Sequence, residues 1–596
     1  MTESLCIKRS RFLKEGEFKR YLALVRTIGR YDPESRSWIV DPKKVLSLNA
    51  SELKRVLKDL SKYAQIDGSA VWKLRSKVII DGGFRIYAAP ELRNDVIRVL
   101  SDLIEPVEEG YKLRSIVGLN SAKERLKRLG LELIFEKPLV ARLSRENGML
   151  EILLSTYDGE VLRKIKDALT LTYFIERAII SPEGEYEGSE IIERKFRVYK
   201  VFKLSNQVKI YTSVGLLDKV KALLTDLGFL VKVDITPRQA HKLSIEQKFE
   251  LLPHQEEAYM AWARKKRGTI AIFTRGGKSF IALKAIADLK VPSIIFVTTR
   301  ELVETWRIYL KKYLGISDIG ILGGGVKKLS MITIAIYNSA VKYCDELIGK
   351  FELAIFDEAH HVPATTFKDV AIKIDALYRM ALSATPRRRD GNEKLLYELC
   401  GDLIYSLGYE GLLALRIVAP IEVFESIFVE NEDEKLEALV SVLKQYEWSR
   451  AIVFTQRLST AQKVYEFLIR KGFKATLITG KTPSAKRDLA FRLFSQGYYK
   501  IVVTTTVLDE GITVPDADMA IIYEGTGEGR QMIQRIGRVL GYKPGKTAKI
   551  IEIINISVPR EKYAYLRRKW VKELYMVPGL KRHVEIEKTR RLLGEV

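Results

Sequence analysis

The chain has 596 residues, 47% of them hydrophobic and 29% charged, which excludes a largely disordered polymer and gives room for three or four domains, each with its own core. With 100 Lys plus Arg against 75 Asp plus Glu the formal charge is +25, which points to an anionic partner, nucleic acid first. Cys6, Cys344 and Cys400 lie far apart and only 5 histidines are present, so a disulfide scaffold and a Cys/His zinc site are excluded. No apolar run reaches the ~18–20 residues of a membrane span, and the first residues lack the apolar core of a signal peptide. The expectation is a cytoplasmic, prokaryotic protein with no membrane partner. Scarce Gln (11 residues) beside abundant Lys and Glu fits a hot-growing source.

Up to about residue 240 one pattern recurs: an extended segment, a turn, a second extended segment and an amphipathic helix. The first copy has Ser37–Val40 and a helix from Ser51 to Tyr63, with Ser51 as N-cap and Leu53, Val56, Leu57 and Leu60 on one face. The second has Lys77–Ile80, a turn at Asp81-Gly82-Gly83, Phe84–Tyr87 and a helix from Pro90 to Ile104. The third turns at Asn147-Gly148, with a helix from about Gly159; the fourth turns at Ser205-Asn206, with a helix from Gly215 to Leu227. The spacing is irregular, so the half is read as small α+β modules and not a solenoid. The segment from Ser181 to Gly188 is the best loop or boundary within it. Modules are placed at 1–180 and at 181–240, the latter as a candidate DNA-engaging unit.

Beyond residue 240, short apolar runs alternate with helical stretches, as buried parallel strands do. Thr269–Phe273, Ser293–Val297, Met331–Ile336, Leu353–Phe356 and Arg379–Leu382 form one series. Ile421–Val429, Ala451–Phe454, Ala475–Ile478, Lys500–Val503, Met519–Tyr523 and Ala548–Ile554 form another. They define two α/β domains at 241–410 and 411–556. The tail, 557–596, carries 11 Lys plus Arg against 5 Glu in helical spacing.

Thr274-Arg275-Gly276-Gly277-Lys278-Ser279 joins a strand to a helix. Backbone N–H groups and the helix N-terminus can cradle phosphates there, with Lys278 on the β/γ-phosphates and Ser279 on magnesium. The match is incomplete, because Ile272 stands where the strict pattern has glycine and Arg275 where many such loops have a small residue. An ordinary turn is the competing reading. Phe356-Asp357-Glu358-Ala359-His360 ends a second strand in two acids: Asp357 for magnesium through water, Glu358 to polarise the attacking water. A solvated cap has the same composition, but the order (phosphate loop, then strand-Asp-Glu) favours a phosphate-loop NTPase. Gln534-Arg535-Ile536-Gly537-Arg538, in the second domain, can supply arginines across a cleft; a basic surface helix is the alternative. Ser383-Ala384-Thr385 and Val507–Ile512, which holds Gly511, each follow a strand.

In this order the motifs resemble a superfamily 2 helicase or translocase of the DEAD/DEAH type, over roughly Leu251 to Ile554. The closest likeness is the XPB family in its archaeal form. It is carried by Phe356–Ala364, Leu382–Gly391, Val507–Ala517 and Gln534–Leu540. The resemblance implies an α/β fold with two tandem RecA-like parallel-sheet domains, preceded by small α+β modules and followed by a basic helical tail. It implies ATP and Mg²⁺ as cofactors, hydrolysis in the inter-domain cleft, and 3′ to 5′ movement on single-stranded or forked DNA in repair or transcription. By this likeness Glu358, Asp357, Gln534, Arg535 and Arg538 are catalytic. Gln255 reads adenine, and Thr274, Arg275, Gly276, Gly277, Lys278, Ser279 and Gly511 surround the nucleotide. Ser279 and Asp357 hold the metal; Arg300, Ser383, Thr385, Arg388, Asp390, Thr504 and Thr505 contact the polymer.

Against the family pattern, Arg275 occupies a tight loop position, and Gly541 stands where a further Arg is usual. Leu252 replaces an Arg before Gln255, and Arg388-Arg389-Asp390 carries a base where the family has an acid. Two alternatives follow: a DNA-binding scaffold with a weak or silent motor, or the motor of a restriction or defence complex with a nuclease or repair partner. DNA is preferred to RNA on resemblance alone. The basic tail, through arginines such as Arg567 and Arg568, and the first module are expected to bind polymer.

Overall fold

The computed structural model describes residues 5–136, 138–180, 186–203, 207–239, 244–363, 367–384, 391–505 and 517–576. At the N-terminus a four-stranded sheet, ordered Gly29–Asp32, Ser37–Val40, Cys6–Arg9, Ala64–Gln65, packs on the helices Glu15–Ile28 and Ala50–Leu60. Ile7, Val25, Ile28, Leu53 and Leu60 fill its separate core. The second helix starts earlier than its sequence suggested. Asn49 is the cap, its side chain accepting from Glu52 N while Glu52 reaches back to Asn49 N.

The next stretch centres on a five-stranded sheet ordered Tyr199–Lys203, Val208–Thr212, Met149–Leu154, Val140–Glu146, Leu230–Asp234. The turn at Asn147-Gly148 has positive φ at both residues (49° and 77°), the geometry that matches strand twist. The boundary expected between 180 and 181 is not a domain boundary. Thr170–Ile180 pairs along its length with Tyr186–Arg197, and Val140–Glu146 pairs in parallel with Leu230–Asp234. A cut at 180 would sever both ladders. The helix-based pattern concealed the Thr170–Arg197 hairpin because its strands alternate little between apolar and polar residues.

Two parallel sheets follow. The first is ordered Val326–Lys328, Ile319–Gly323, Ile332–Ile336, Ser293–Val297, Leu353–Phe356, Tyr378–Ser383, Arg267–Ile272, Leu403–Leu407, with only Val326–Lys328 antiparallel. The second is ordered Ile421–Val429, Ala548–Asn555, Met519–Ile522, Ala451–Phe454, Ile501–Thr504, Ala475–Ile478, all parallel. Their central strands are buried on both faces, which is why these appear in the sequence as unbroken apolar runs, while edge strands such as Leu403–Leu407 and Ile421–Val429 are partly exposed.

The five-stranded module is fixed beneath the first of these sheets. Arg145 Nη1 bridges Glu352 at 2.8 Å, Arg238 pairs with Asp375, and Arg267 Nε bridges Asp218 at 2.8 Å. Arg379, fully buried and held within its own domain by Ala371 O at 2.7 Å and Leu399 O at 2.8 Å, packs its guanidinium against Gly215 of the module, 2.7 Å from where a Cβ would stand. Glu352, Arg267 and Arg379 stand at the N-terminal ends of their strands, so residues 140–234 brace the end of the sheet opposite the motif-bearing loops. One element reaches further. The main chain of Phe174 exchanges two 2.7 Å hydrogen bonds with the Asn392 amide, beyond the C-terminal end of Tyr378–Ser383.

The expected polymer-binding tail is, as far as it is described, part of the second domain. Helix Pro559–Arg568 and the turn Lys569–Tyr575 pack back on it, and Arg568 bridges Glu552 at 2.8 Å. Tyr575 sits in the joint between the domains, 5.3 Å from the Phe273 ring and 5.1 Å from Tyr409. A buried arginine is unavailable to phosphate, which overturns the expected role of Arg568.

Candidate nucleotide site at the inter-domain cleft

In the first sheet, Arg267–Ile272 and Leu353–Phe356 are separated by one strand, Tyr378–Ser383. The loops at their C-terminal ends therefore open about 10 Å apart, on the side where ligands of parallel sheets bind. The phosphate loop leads into helix Lys278–Leu289, capped by Gly277 at φ 75°. The packing excludes side chains there. A Cβ on Gly276 would lie 2.1 Å from Ile272 Cγ2, and one on Gly277 would lie 2.2 Å from Gln255 Nε2. Lys278 Nζ donates to Ile272 O at 3.3 Å, and Ser279 is half-buried beside it.

Gln255 is tied to the loop. Its Nε2 donates to Gly276 O at 3.2 Å and its Oε1 accepts from Leu252 N at 3.0 Å. His254 Nε2 contacts the same carbonyl at 2.9 Å, a role its place beside Gln255 could have suggested.

Asp357 is buried and held in one orientation: Oδ2 accepts from Trp306 Nε1 at 2.9 Å and Oδ1 from Glu358 N at 3.0 Å. Trp306, on helix Arg300–Leu314, reads in sequence only as a core residue. Glu358 adopts φ 46°, a left-handed conformation that costs a non-glycine residue about 1–3 kcal/mol and clusters at functional sites. Its Oε2 lies 3.4 Å from His360 Nδ1, and His360 Nδ1 lies 3.4 Å from Ser383 Oγ. Ser383 is thus a buried link between two motifs, not a polymer contact.

From the second domain, helix Gly529–Gly537 meets the phosphate loop directly. A Cβ on Gly537 would come within 2.7 Å of Thr274 Oγ1, so a side chain at 537 would force the two apart. Arg275 (φ 74°) crosses over: Nε donates to Gly537 O at 2.9 Å and Nη2 to Arg538 O at 3.0 Å. Gln534 and Arg538 are partly exposed on this helix end. Arg535 is fully buried in the second domain. It donates to Glu524 O at 2.7 Å and Thr455 O at 3.1 Å and stacks on Phe454, which ties the helix to its own sheet. Thr504 and Thr505 are buried, Thr504 O accepting from Thr455, and neither offers a surface to a polymer. Arg300 is exposed at its helix start. Thr385, Arg388, Asp390 and Gly511 lie outside the described residues.

The arrangement fits a magnesium nucleotide. Thr274 Oγ1 is buried without a hydrogen-bond partner among the described residues, and the glycine cradle admits backbone but no side chain. Asp357 places a carboxylate at the strand end beside that cradle, its two oxygens oriented by Trp306 Nε1 and Glu358 N. Magnesium bound with nucleotide asks for one or two protein oxygens plus phosphates and waters, so no larger ligand cluster is needed.

Comparison with known proteins agrees. Residues 248–388 match the family model "Type III restriction enzyme, res subunit", and residues 434–541 match "Helicase conserved C-terminal domain". The chain is 33% identical to the DNA 3'-5' translocase XPB2 of Sulfurisphaera tokodaii over 52% of its own length and 82% of that relative. It is 27% identical to the putative DNA 3'-5' helicase Rad25 of Haloarcula marismortui, over 58% of this chain and 59% of the relative. A similarity of 22% to putative helicase 22 of a Sulfolobus islandicus filamentous virus extends over 90% of this chain and 91% of the other. Among the described residues no helix is long and apolar enough to cross a membrane. With a phosphate loop, a strand ending in Asp357-Glu358 and an arginine-bearing helix closing one cleft, the chain belongs to the XPB-like family of ATP-dependent superfamily 2 DNA helicases.

Proposed function

We propose that the chain hydrolyses ATP in the inter-domain cleft and converts the opening and closing of that cleft into 3′ to 5′ movement on DNA. The observation that carries this reading is the direct contact of the phosphate loop with helix Gly529–Gly537, which makes nucleotide occupancy and domain closure one event. Lys278, now on a main-chain oxygen, is the cation for the β/γ-phosphates. Ser279 and Asp357 would hold Mg²⁺, which when bound neutralises charge developing on the transferred phosphoryl group. Glu358 orients the attacking water, and Arg538 approaches from the second domain. Arg300, exposed at the start of helix Arg300–Leu314, is the polymer contact on the first domain. The direction of movement and the choice of DNA follow from the relatives' names.

The test is ATP turnover without polymer, with single-stranded DNA, with forked DNA and with RNA, at two salt concentrations. DNA is expected to stimulate turnover, less so at high salt, and Lys278→Ala is expected to abolish it. Turnover indifferent to DNA, or surviving Lys278→Ala, would sink the motor reading. Stronger stimulation by RNA would reassign the substrate.

A further inference from the structure

Two departures noted in the sequence, an arginine inside the phosphate loop and a glycine at 541, meet in space. A Cβ built on Gly541 would lie 3.8 Å from Arg275 Nη1 and 3.9 Å from its Cζ. An arginine at 541 would begin its side chain in van der Waals contact with that guanidinium, which sets two cations side by side in one part of the cleft.

The geometry points to Arg275 as a positioning residue for ATP hydrolysis, one that occupies the space left by Gly541 and clamps the second domain onto the phosphate loop. This inference rests on the proposal that ATP is hydrolysed in this cleft. The side chain leaves the loop toward the second domain and spans two adjacent carbonyls, Gly537 O and Arg538 O. Those carbonyls lie at the C-terminal end of helix Gly529–Gly537, where main-chain oxygens lack intrahelical partners and the helix dipole is negative. A planar guanidinium presents its donors to two such oxygens as a rigid fork, whereas a lysine ammonium is a flexible point charge without that fixed spacing. Holding the main chain of residue 538 fixes the point from which the Arg538 side chain projects. Among the described residues no carboxylate pairs with Arg275, and burial holds its pKa below the usual guanidinium range. Its charge is therefore left to the cleft.

The loop conformation agrees with this assignment. At φ 74° position 275 suits glycine, so retaining a long side chain there needs a compensating contact, and the two carbonyl bonds supply it. Gly541 is the complementary concession. It pairs with Val418 in an isolated bridge while keeping clear of the guanidinium.

The experiment compares steady-state ATP hydrolysis and equilibrium binding of ATP for the full chain and four variants: Arg275→Gly, Arg275→Lys, Gly541→Arg and the Arg275→Gly/Gly541→Arg pair. Glycine suits the backbone at 275, so folding is not at stake, and the fraction of ATP-competent protein from the binding titration normalises every rate. Arg275→Gly and Arg275→Lys are expected to lower kcat at least tenfold while the Kd for ATP changes less than threefold. Gly541→Arg alone is expected to give no gain, because its place is taken. The pair is expected to return kcat to within threefold of the parent. Parent-like kcat for Arg275→Gly would overturn the inference. So would a pair no faster than Arg275→Gly alone, or a Gly541→Arg variant faster than the parent. Lys278→Ala is the control: if it still turns over ATP, the site assignment itself fails, whereas an inert Lys278→Ala beside an unaffected Arg275→Gly sinks only the clamp.

Discussion

The indole N–H of Trp306 donates to Oδ2 of Asp357 at 2.9 Å, fixing the carboxylate at the C-terminal end of its strand. The partner of the carboxylate proposed to hold Mg²⁺ is therefore a buried aromatic residue on helix Arg300–Leu314. Groups that orient such ligands typically change metal affinity or activity about 10–100-fold when removed. Trp306→Phe keeps an aromatic ring and deletes the donor. ATP turnover measured against Mg²⁺ concentration should fall by about that factor at low Mg²⁺ and recover in part as Mg²⁺ is raised. An unchanged Mg²⁺ dependence would show that Trp306 serves packing alone.

Arg568 and Glu552 form an ion pair at 2.8 Å with both side chains 5% exposed, and Arg568 Nη1 also donates to Thr526 O at 2.9 Å. Removing one partner leaves a buried charge and costs about 3–5 kcal/mol. Arg568→Met should lower the thermal midpoint by several degrees and leave DNA affinity within twofold of the parent. Adding Glu552→Met should recover much of the loss, since the orphaned charge is then gone. Weakened DNA binding at an unchanged midpoint would restore the role expected from the tail's charge.

Glu524 is the anion of the second domain's loop end. Burial alone would raise its pKa, but the N–H groups of Gln456 and Arg457 and the Arg457 guanidinium outweigh burial and hold it below the ordinary carboxylate value. A depressed pKa means that the unfolded chain binds the proton first. The stabilisation is then present above the ordinary Glu range and is lost as pH falls through the folded value. Glu524→Gln should cost about 1.5–3 kcal/mol near pH 7, as for hydrogen bonds to a charged group. The gap in thermal midpoint between parent and variant should narrow steadily below about pH 4.5. A gap that stays constant down to pH 3 would assign the loss to packing.

Much of the local geometry of the proposed site was legible in the residues, because it depends on near neighbours. A phosphate loop needs glycines where a Cβ would collide, and Gly276 and Gly277 stand at those points. Parallel strands covered on both faces are apolar throughout, which marked Leu353–Phe356 and Ala451–Phe454 with the bounds they have in the fold. The acids Asp357 and Glu358 then fall at a strand end by simple counting. The hairpin at Asn147-Gly148 declared itself through two residues that tolerate positive φ.

Tertiary structure alone decided where the charges went. Charge count and helical spacing are the same for an arginine in solvent and one turned inward, so Arg535, Arg568 and Arg379 carried no local mark of burial. Among their partners are two main-chain oxygens and one acid, 8 to 16 residues away and outside their own elements, and only folding brings them within 3 Å. Thr504 and Ser383 were misplaced for the same reason, since a hydroxyl after a strand can face a polymer or a neighbouring loop. Arg275 is the clearest case. As a residue in sequence it looked like an obstruction in a tight loop. In the folded chain it leaves the loop, crosses to Gly537 and Arg538, and lies beside Gly541, which has no side chain to put in its way. Local sequence sets what a loop can cradle. Which residues of another domain close over it depends on how the two parallel sheets pack, and contiguous residues do not encode that.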